Sequence, residues 1–145
     1  MRRIAGATMS KVIIVLMLIL VSSNAIAEWT QIGSNNEAIG GVIVYANLSS
    51  IRKNSDMVKM WIMHDYKTAQ PDRSIQKTYL SDKILQEFDC KEERMRAISA
   101  VYMSSNSGQG DVVSNYNFPN NPDDWQPVAP DSFGEVLWKI ACAKQ

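Results

Sequence analysis

The chain has 145 residues, 46% of them hydrophobic, with fifteen basic and fifteen acidic side chains, a single histidine and two cysteines. That length allows one domain, and the hydrophobic content excludes a disordered chain, which would be poorer in aromatic and branched apolar residues. The balanced charge hides an asymmetry: residues 1–27 carry Arg2, Arg3 and Lys11 and no acid, so 28–145 hold 12 basic against 15 acidic residues, net −3, which argues against a nucleic-acid binder.

The first element is a leader. Arg2, Arg3 and Lys11 precede an unbroken apolar run of ten residues, Val12 to Val21, and Ala25-Ile26-Ala27 closes the segment. A basic start, a short apolar run and an Ala-x-Ala end predict a secretory signal peptide over 1–27, cleaved after Ala27. The run is half the roughly 20 residues a membrane-spanning helix needs. No cysteine near the cleavage point is available for a bacterial lipid anchor. The expected product is a domain over 28–145 with no stable membrane span, located in the periplasm, at the cell surface or outside the cell.

In the exported part, Glu28 to Ile32 alternates as a short strand. Asn35-Asn36 and Gly40-Gly41 bracket a turn before a second β-rich run, Val42 to Tyr45. Asn54-Ser55-Asp56 is a turn cluster, and Met57 to Tyr66 reads as a long strand with Val58, Met60, Ile62, His64 and Tyr66 on one face. Gln70-Pro71-Asp72-Arg73 is expected to break it. Tyr79 to Asp89 fits helix and strand equally well, since Leu80, Ile84 and Phe88 share a face in either. Arg94 to Met103 is strand-like, Ser104 to Asp111 is a loop, and Val112 to Tyr116 is a short strand. Prolines at 119, 122, 127 and 130 exclude regular helix or central strand from 117–130. The last element is the clearest helix: Ser132 as N-cap and Glu135 three residues on form a capping box. Phe133, Val136, Leu137, Ile140 and Ala141 make its apolar stripe. Strands followed by one packed helix indicate an α+β plan with an antiparallel sheet.

In an oxidising compartment, Cys90 and Cys142 are most simply one disulfide. A redox motif would place the cysteines close in sequence, and a structural zinc site needs four ligands. The chain-entropy model gives a loop of this length about 4 kcal/mol of stabilisation.

In this order the residues resemble the surface-adhesin protein E-like family of small secreted bacterial proteins. The resemblance rests on Trp29, Leu48-Ser49-Ser50-Ile51-Arg52, Val58-Lys59-Met60-Trp61, Asp65-Tyr66-Lys67 and Glu87-Phe88-Asp89-Cys90. It continues through Gly108-Gln109-Gly110, Trp125-Gln126-Pro127-Val128-Ala129-Pro130 and the helix ending in Cys142, and so spans 29–142. It implies an antiparallel sheet with the C-terminal helix laid on one face and tied by Cys90–Cys142, and it resolves 79–90 as strand. It also implies adhesion, since the family's namesake binds extracellular-matrix and plasma proteins of a host. The chain departs from the pattern at Asp131, where a glycine is usual, and at Ala46-Asn47, where an Asp is common. No match reaches a contact motif, so ligand-binding residues stay unassigned, as does the oligomeric state.

Catalytic chemistry has few materials. His64 is the sole histidine, and Asp65 beside it points to the opposite face of a strand. Nothing resembles Gly-x-Ser-x-Gly, so no catalytic residue, metal site or cofactor is assigned. Met57, Met60, Met63 and His64 form a string that would cluster sulfurs on a helix for soft metal or haem. On a strand, Met57 and Met63 stand about 20 Å apart at roughly 3.3 Å per residue, with Met60 facing away. Asp123-Asp124 lacks the alternating oxygen ligands of a calcium loop. Gly108-Gln109-Gly110 lacks the helix that phosphate cradling requires. Arg94 and Arg96 read as a charged solvent face or a weak anion contact, and Trp29, Trp61, Trp125 and Trp138 as core or docking residues. The leading expectation is an exported, non-enzymatic binding domain for extracellular or host proteins. A periplasmic accessory protein of the envelope comes second, and a metal or haem carrier through the Met/His string third.

Overall fold

The computed structural model describes residues 29–37 and 40–143, so the expected leader and its cleavage point lie outside the described residues. Seven strands form one sheet: β1 (Trp29–Asn35), β2 (Val42–Asn54), β3 (Met57–Asp72), β4 (Lys77–Asp89), β5 (Arg94–Met103), β6 (Val112–Asn117) and β7 (Gln126–Pro127). They pair antiparallel in chain order from β1 to β6, with β7 beside the start of β5. One helix, α1 (Phe133–Ala141), follows. The α+β plan with a C-terminal helix is what the sequence predicts, and the stretch ambiguous on pattern alone is strand.

The core lies between α1 and one face of the sheet. Val42, Val44 and Ala46 of β2, Val58, Met60 and Ile62 of β3, and Phe88 of β4 pack with Leu137 and Ala141. Burying Leu137 alone contributes about 2 kcal/mol. Ser132 caps the helix as expected, its Oγ accepting from the Glu135 N–H at 3.2 Å. The Glu135 carboxylate reaches back to the Asp131 N–H at 2.9 Å, one residue earlier than a capping box places it. The apolar stripe is rotated from the expected one: Val136 is 42% exposed, while Gly134 is buried. A Cβ at Gly134 would stand 2.6 Å from the Met95 side chain, so helix and sheet meet there at a distance only glycine allows.

Cys90 and Cys142 are joined, with Cα atoms 5.6 Å apart, linking the end of β4 to the C-cap of α1. Two hydrogen bonds brace the same corner: the Trp138 indole N–H donates to the Asp89 carbonyl at 3.1 Å, and the Cys90 N–H to the Asp56 carbonyl at 2.8 Å.

Two expectations are corrected. β2 continues well past Tyr45, through a register shift between Asn47 and Arg52. The shift is closed by side chains, since Asn47 Oδ1 accepts from the Ser50 N–H and Ser50 Oγ accepts from the Trp61 N–H. Nor does Gln70-Pro71-Asp72-Arg73 end β3, which runs to Asp72. Its register with β4 shifts between Asp65 and Gln70, and Pro71 pairs with Thr78 beyond that irregularity, near the hairpin end, where a missing N–H is tolerated.

Replacing both Cys90 and Cys142 by serine is expected to lower unfolding free energy by about 2–4 kcal/mol. Urea unfolding of residues 28–145 measures it. An unchanged midpoint would show that core packing alone holds α1.

Candidate functional site

Nine helical residues at 1.5 Å each make α1 about 13 Å long, whereas the sixteen residues of β3 extend about 50 Å. The helix therefore covers only part of the face it packs on. Along β3 the covered residues Val58, Met60 and Ile62 give way, on the same face, to His64 and Tyr66. Register carries that face onto Asp82 of β4, Tyr102 of β5, and Ser114 and Tyr116 of β6.

A row of rings runs across these strands. Ring centroids are 6.1 Å apart for His64–Tyr66, 5.8 Å for Tyr66–Tyr79, 4.4 Å for Tyr79–Tyr102 and 5.6 Å for Tyr102–Tyr116. The Tyr79–Tyr102 pair is stacked, and its neighbours meet it edge-on. Strict alternation from Ser81 would send Tyr79 to the opposite face; the register shift between Asp65 and Gln70 brings it into line. Four of the chain's five tyrosines stand in this row.

Two buried carboxylates flank it. Asp82, 2% exposed, has Oδ1 at 2.8 Å from His64 Nδ1. Its Oδ2 accepts from the Tyr66 hydroxyl at 2.9 Å. Asp72, 8% exposed, accepts from the Ser74 N–H and hydroxyl at 3.1 and 2.6 Å, the Ser114 hydroxyl at 2.7 Å and the Tyr116 hydroxyl at 2.8 Å. Asp72, with Arg73, Ser74, Tyr79, Tyr102, Tyr116, Pro71 and Phe118, lines an open cavity of about 380 Å³.

The environment shifts the ionisation of these groups. The Ser74 and Ser114 hydroxyls, outweighing burial, hold Asp72 down at about 2. Burial, then the fields of Asp82, Tyr102 and Asp72, push Tyr79 up to about 12. Tyr66 and Tyr102 are raised as well, by burial first and Asp82 next.

The residues singled out from sequence fall as follows. His64 does have a carboxylate partner, but it is Asp82, eighteen positions away, and the other oxygen of that carboxylate holds Tyr66. The Met/His string is spread over both faces: Met60 is in the core, while Met63 is buried on the other side beneath Gly108. Among the described residues no group of three or more His, Cys, Asp or Glu side chains is placed to hold a metal. Arg94 and Arg96 are not a free charged face. They pair with Asp89 at 3.0 Å and Glu87 at 2.6 Å, and both guanidinium groups lie over the Trp125 ring, 4.8 and 4.4 Å from its centroid. The Ser104–Asp111 loop is latched down, with Asn106 donating to Asp65 at 2.7 Å and to the Tyr66 carbonyl at 2.8 Å. Asp123 and Asp124 sit in a single 3-10 turn capped by Asn121.

Both shifts make stability pH-dependent at the extremes. The Asp72 contribution, its folded value lying below the ordinary one near 4, is complete above about 4 and is lost as pH falls toward about 2. Asp72→Asn should flatten the acid limb of stability in that window, read from urea midpoints against pH. The Tyr79 contribution is complete below about 10 and lost as pH rises through about 12. An ultraviolet phenolate titration should show part of the tyrosine signal delayed beyond the ordinary step, and a single step near 10 would contradict the row.

A sequence profile of the surface-adhesin protein E family matches residues 29–143. Two solved structures of protein E from Haemophilus influenzae share the fold. One, a second crystal form, has 16% identity and a TM-score of 0.51, covering 69% of this chain and 80% of that one. The other, from a non-typeable strain, has 15% identity and a TM-score of 0.50, covering 69% of each chain. No curated protein matches the sequence significantly. With its profile match running from β1 past the end of α1, the chain belongs to the surface-adhesin protein E family.

Proposed function

We propose that the chain is exported, loses residues 1–27 after Ala27, and acts at the cell surface as a non-enzymatic adhesin-type domain that binds extracellular or host proteins. The tyrosine row is its recognition surface. The observation that carries this reading is that row itself: aromatic side chains held across five rings on a rigid sheet, beside an open cavity, in a member of a surface-adhesin family. Tyrosines supply large contact area with little rotamer entropy to lose and often form the anchors of protein interfaces. The disulfide supports export, because such bonds persist in oxidising compartments. Among the described residues no helix is long and apolar enough to cross a membrane.

The His64–Asp82 pair is the arrangement closest to catalytic chemistry, and it argues for structure. The third group on that carboxylate is Tyr66, whose hydroxyl donates to Asp82 rather than to the imidazole, and whose ionisation is pushed upward. A nucleophile would need the base itself within hydrogen-bond reach and a lowered pKa.

Purified 28–145 is expected to be captured by immobilised matrix or plasma proteins, and external protease is expected to reach it on intact cells. Replacing Tyr79 and Tyr102 together by leucine should weaken capture by about tenfold or more with an unchanged thermal midpoint. Retention of the native protein in the periplasm, with no capture, would favour the envelope-accessory reading instead.

A further inference from the structure

The chain treats its buried carboxylates in two ways. Glu87 and Asp89 each face an arginine, Arg96 and Arg94, and Lys59 stands 3.9 Å from Glu87 as well. Asp72 and Asp82 face only hydroxyls, one backbone N–H and the His64 ring, and among the described residues no Lys or Arg lies within ion-pair distance of either. Hydroxyl donors satisfy the oxygens but bring no positive charge, so the negative field of Asp72 extends into the cavity it lines, and that of Asp82 reaches the Tyr79 and Tyr102 rings.

The stacked rings of Tyr79 and Tyr102 line that cavity, and their π faces attract cations. Their hydroxyls have no protein partner among the described residues, so each oxygen is free to accept an N–H. The chain uses the same chemistry internally where Arg94 and Arg96 stack on Trp125. Arg73, at the mouth, is exposed, and among the described residues it makes no ion pair and lies over neither ring. A cavity of about 380 Å³ admits one long side chain, and Phe118 and Pro71 offer apolar surface to its methylene stem.

We infer that this cavity is a subsite for an arginine side chain projecting from the partner protein, with the guanidinium against Tyr79 and Tyr102 beside Asp72. The inference rests on the reading of the tyrosine face as the recognition surface. It adds the chemistry: a planar cation that donates to phenol oxygens, stacks on rings and answers a carboxylate that faces only hydroxyls and a backbone N–H. An acidic ligand would meet the same field as repulsion.

The test is an NMR titration of folded 28–145 with N-acetyl-arginine amide, against the neutral isostere N-acetyl-citrulline amide and against N-acetyl-glutamate amide. Saturable shifts of the Tyr79 and Tyr102 ring signals are expected with arginine, about fivefold or more weaker with citrulline and absent with glutamate. Added salt should weaken the arginine response. Tyr79→Phe and Tyr102→Phe should keep most of it, and the double leucine variant should lose it. Asp72→Asn should reduce it in a domain that remains folded at the titration pH, and Arg73→Ala, which removes a competing charge at the mouth, should strengthen it. Equal binding of citrulline and arginine, or arginine shifts confined to other surfaces, would overturn the inference. Arginine-selective binding here without capture of matrix proteins would uphold the subsite and overturn the adhesive function. Capture without arginine selectivity would do the reverse.

Discussion

Among the described residues a single nine-residue α-helix has to cover one face of a seven-stranded sheet, and it is too short. The rest of the molecule follows from how that shortfall is met. Where α1 lies, the sheet presents Val, Met, Ile and Phe side chains, and the Cys90–Cys142 bond fixes the end of the helix beside the end of β4. Beyond the helix the same face would be an exposed apolar surface had the pattern continued. Instead it turns to rings with polar edges, which can pack on one another while their hydroxyls meet carboxylates or water. The transition falls between Ile62 and His64 on β3, one alternation step past the core.

Much of this was legible because it depends on local pattern. Alternation marked β3 as a strand and put His64 and Tyr66 on the core face, and Ser132 with Glu135 marked the start of α1. The tyrosine row was not legible, because it depends on register. Tyr66, Asp82, Tyr102 and Tyr116 align only once four strands are paired, and Tyr79 joins them only through an irregularity that reverses its side. The clue available in the sequence was modest: tyrosine and aspartate recur near one end of successive strands. His64 could be denied a partner from its neighbours in sequence because the true partner is Asp82, across a strand pair. The inward turn of Gly134 was hidden for a related reason. Helical periodicity identifies a stripe, but the residue that sets its rotation is chosen by what Met95 leaves room for.

The two departures from the family pattern have physical readings in the backbone. Asp131 holds φ at 58°, a left-handed conformation that glycine takes at no steric cost and that Asp tolerates better than most residues. The substitution thus keeps the turn into α1, and the backbone N–H of that position, which glycine would supply equally, donates to Glu135. Asn47 stands where its side-chain oxygen closes the β2 irregularity, accepting from Ser49 and Ser50. An acceptor is what that position requires, and an aspartate nearby would provide the same one. Both positions keep their local hydrogen bonds.

Electrostatic asymmetry ties fold and surface together. A carboxylate buried against arginine is neutralised on the spot, as Glu87 and Asp89 are, and that pairing also seats Trp125 over the start of β5. A carboxylate buried against hydroxyls keeps its hydrogen bonds and its charge. The first arrangement serves the scaffold, since it leaves no field outside the protein. The second costs solvation that pairing within the chain does not return; of its two examples, Asp72 lines the aromatic cavity and Asp82 holds His64 and Tyr66 of the ring row. Satisfying Asp72 with serine and tyrosine donors, when an arginine stands next in sequence to it, leaves a carboxylate without an arginine partner in the wall of that cavity. The buried acids thus divide in two: Glu87 and Asp89 are paired with arginine, and Asp72 and Asp82 are not.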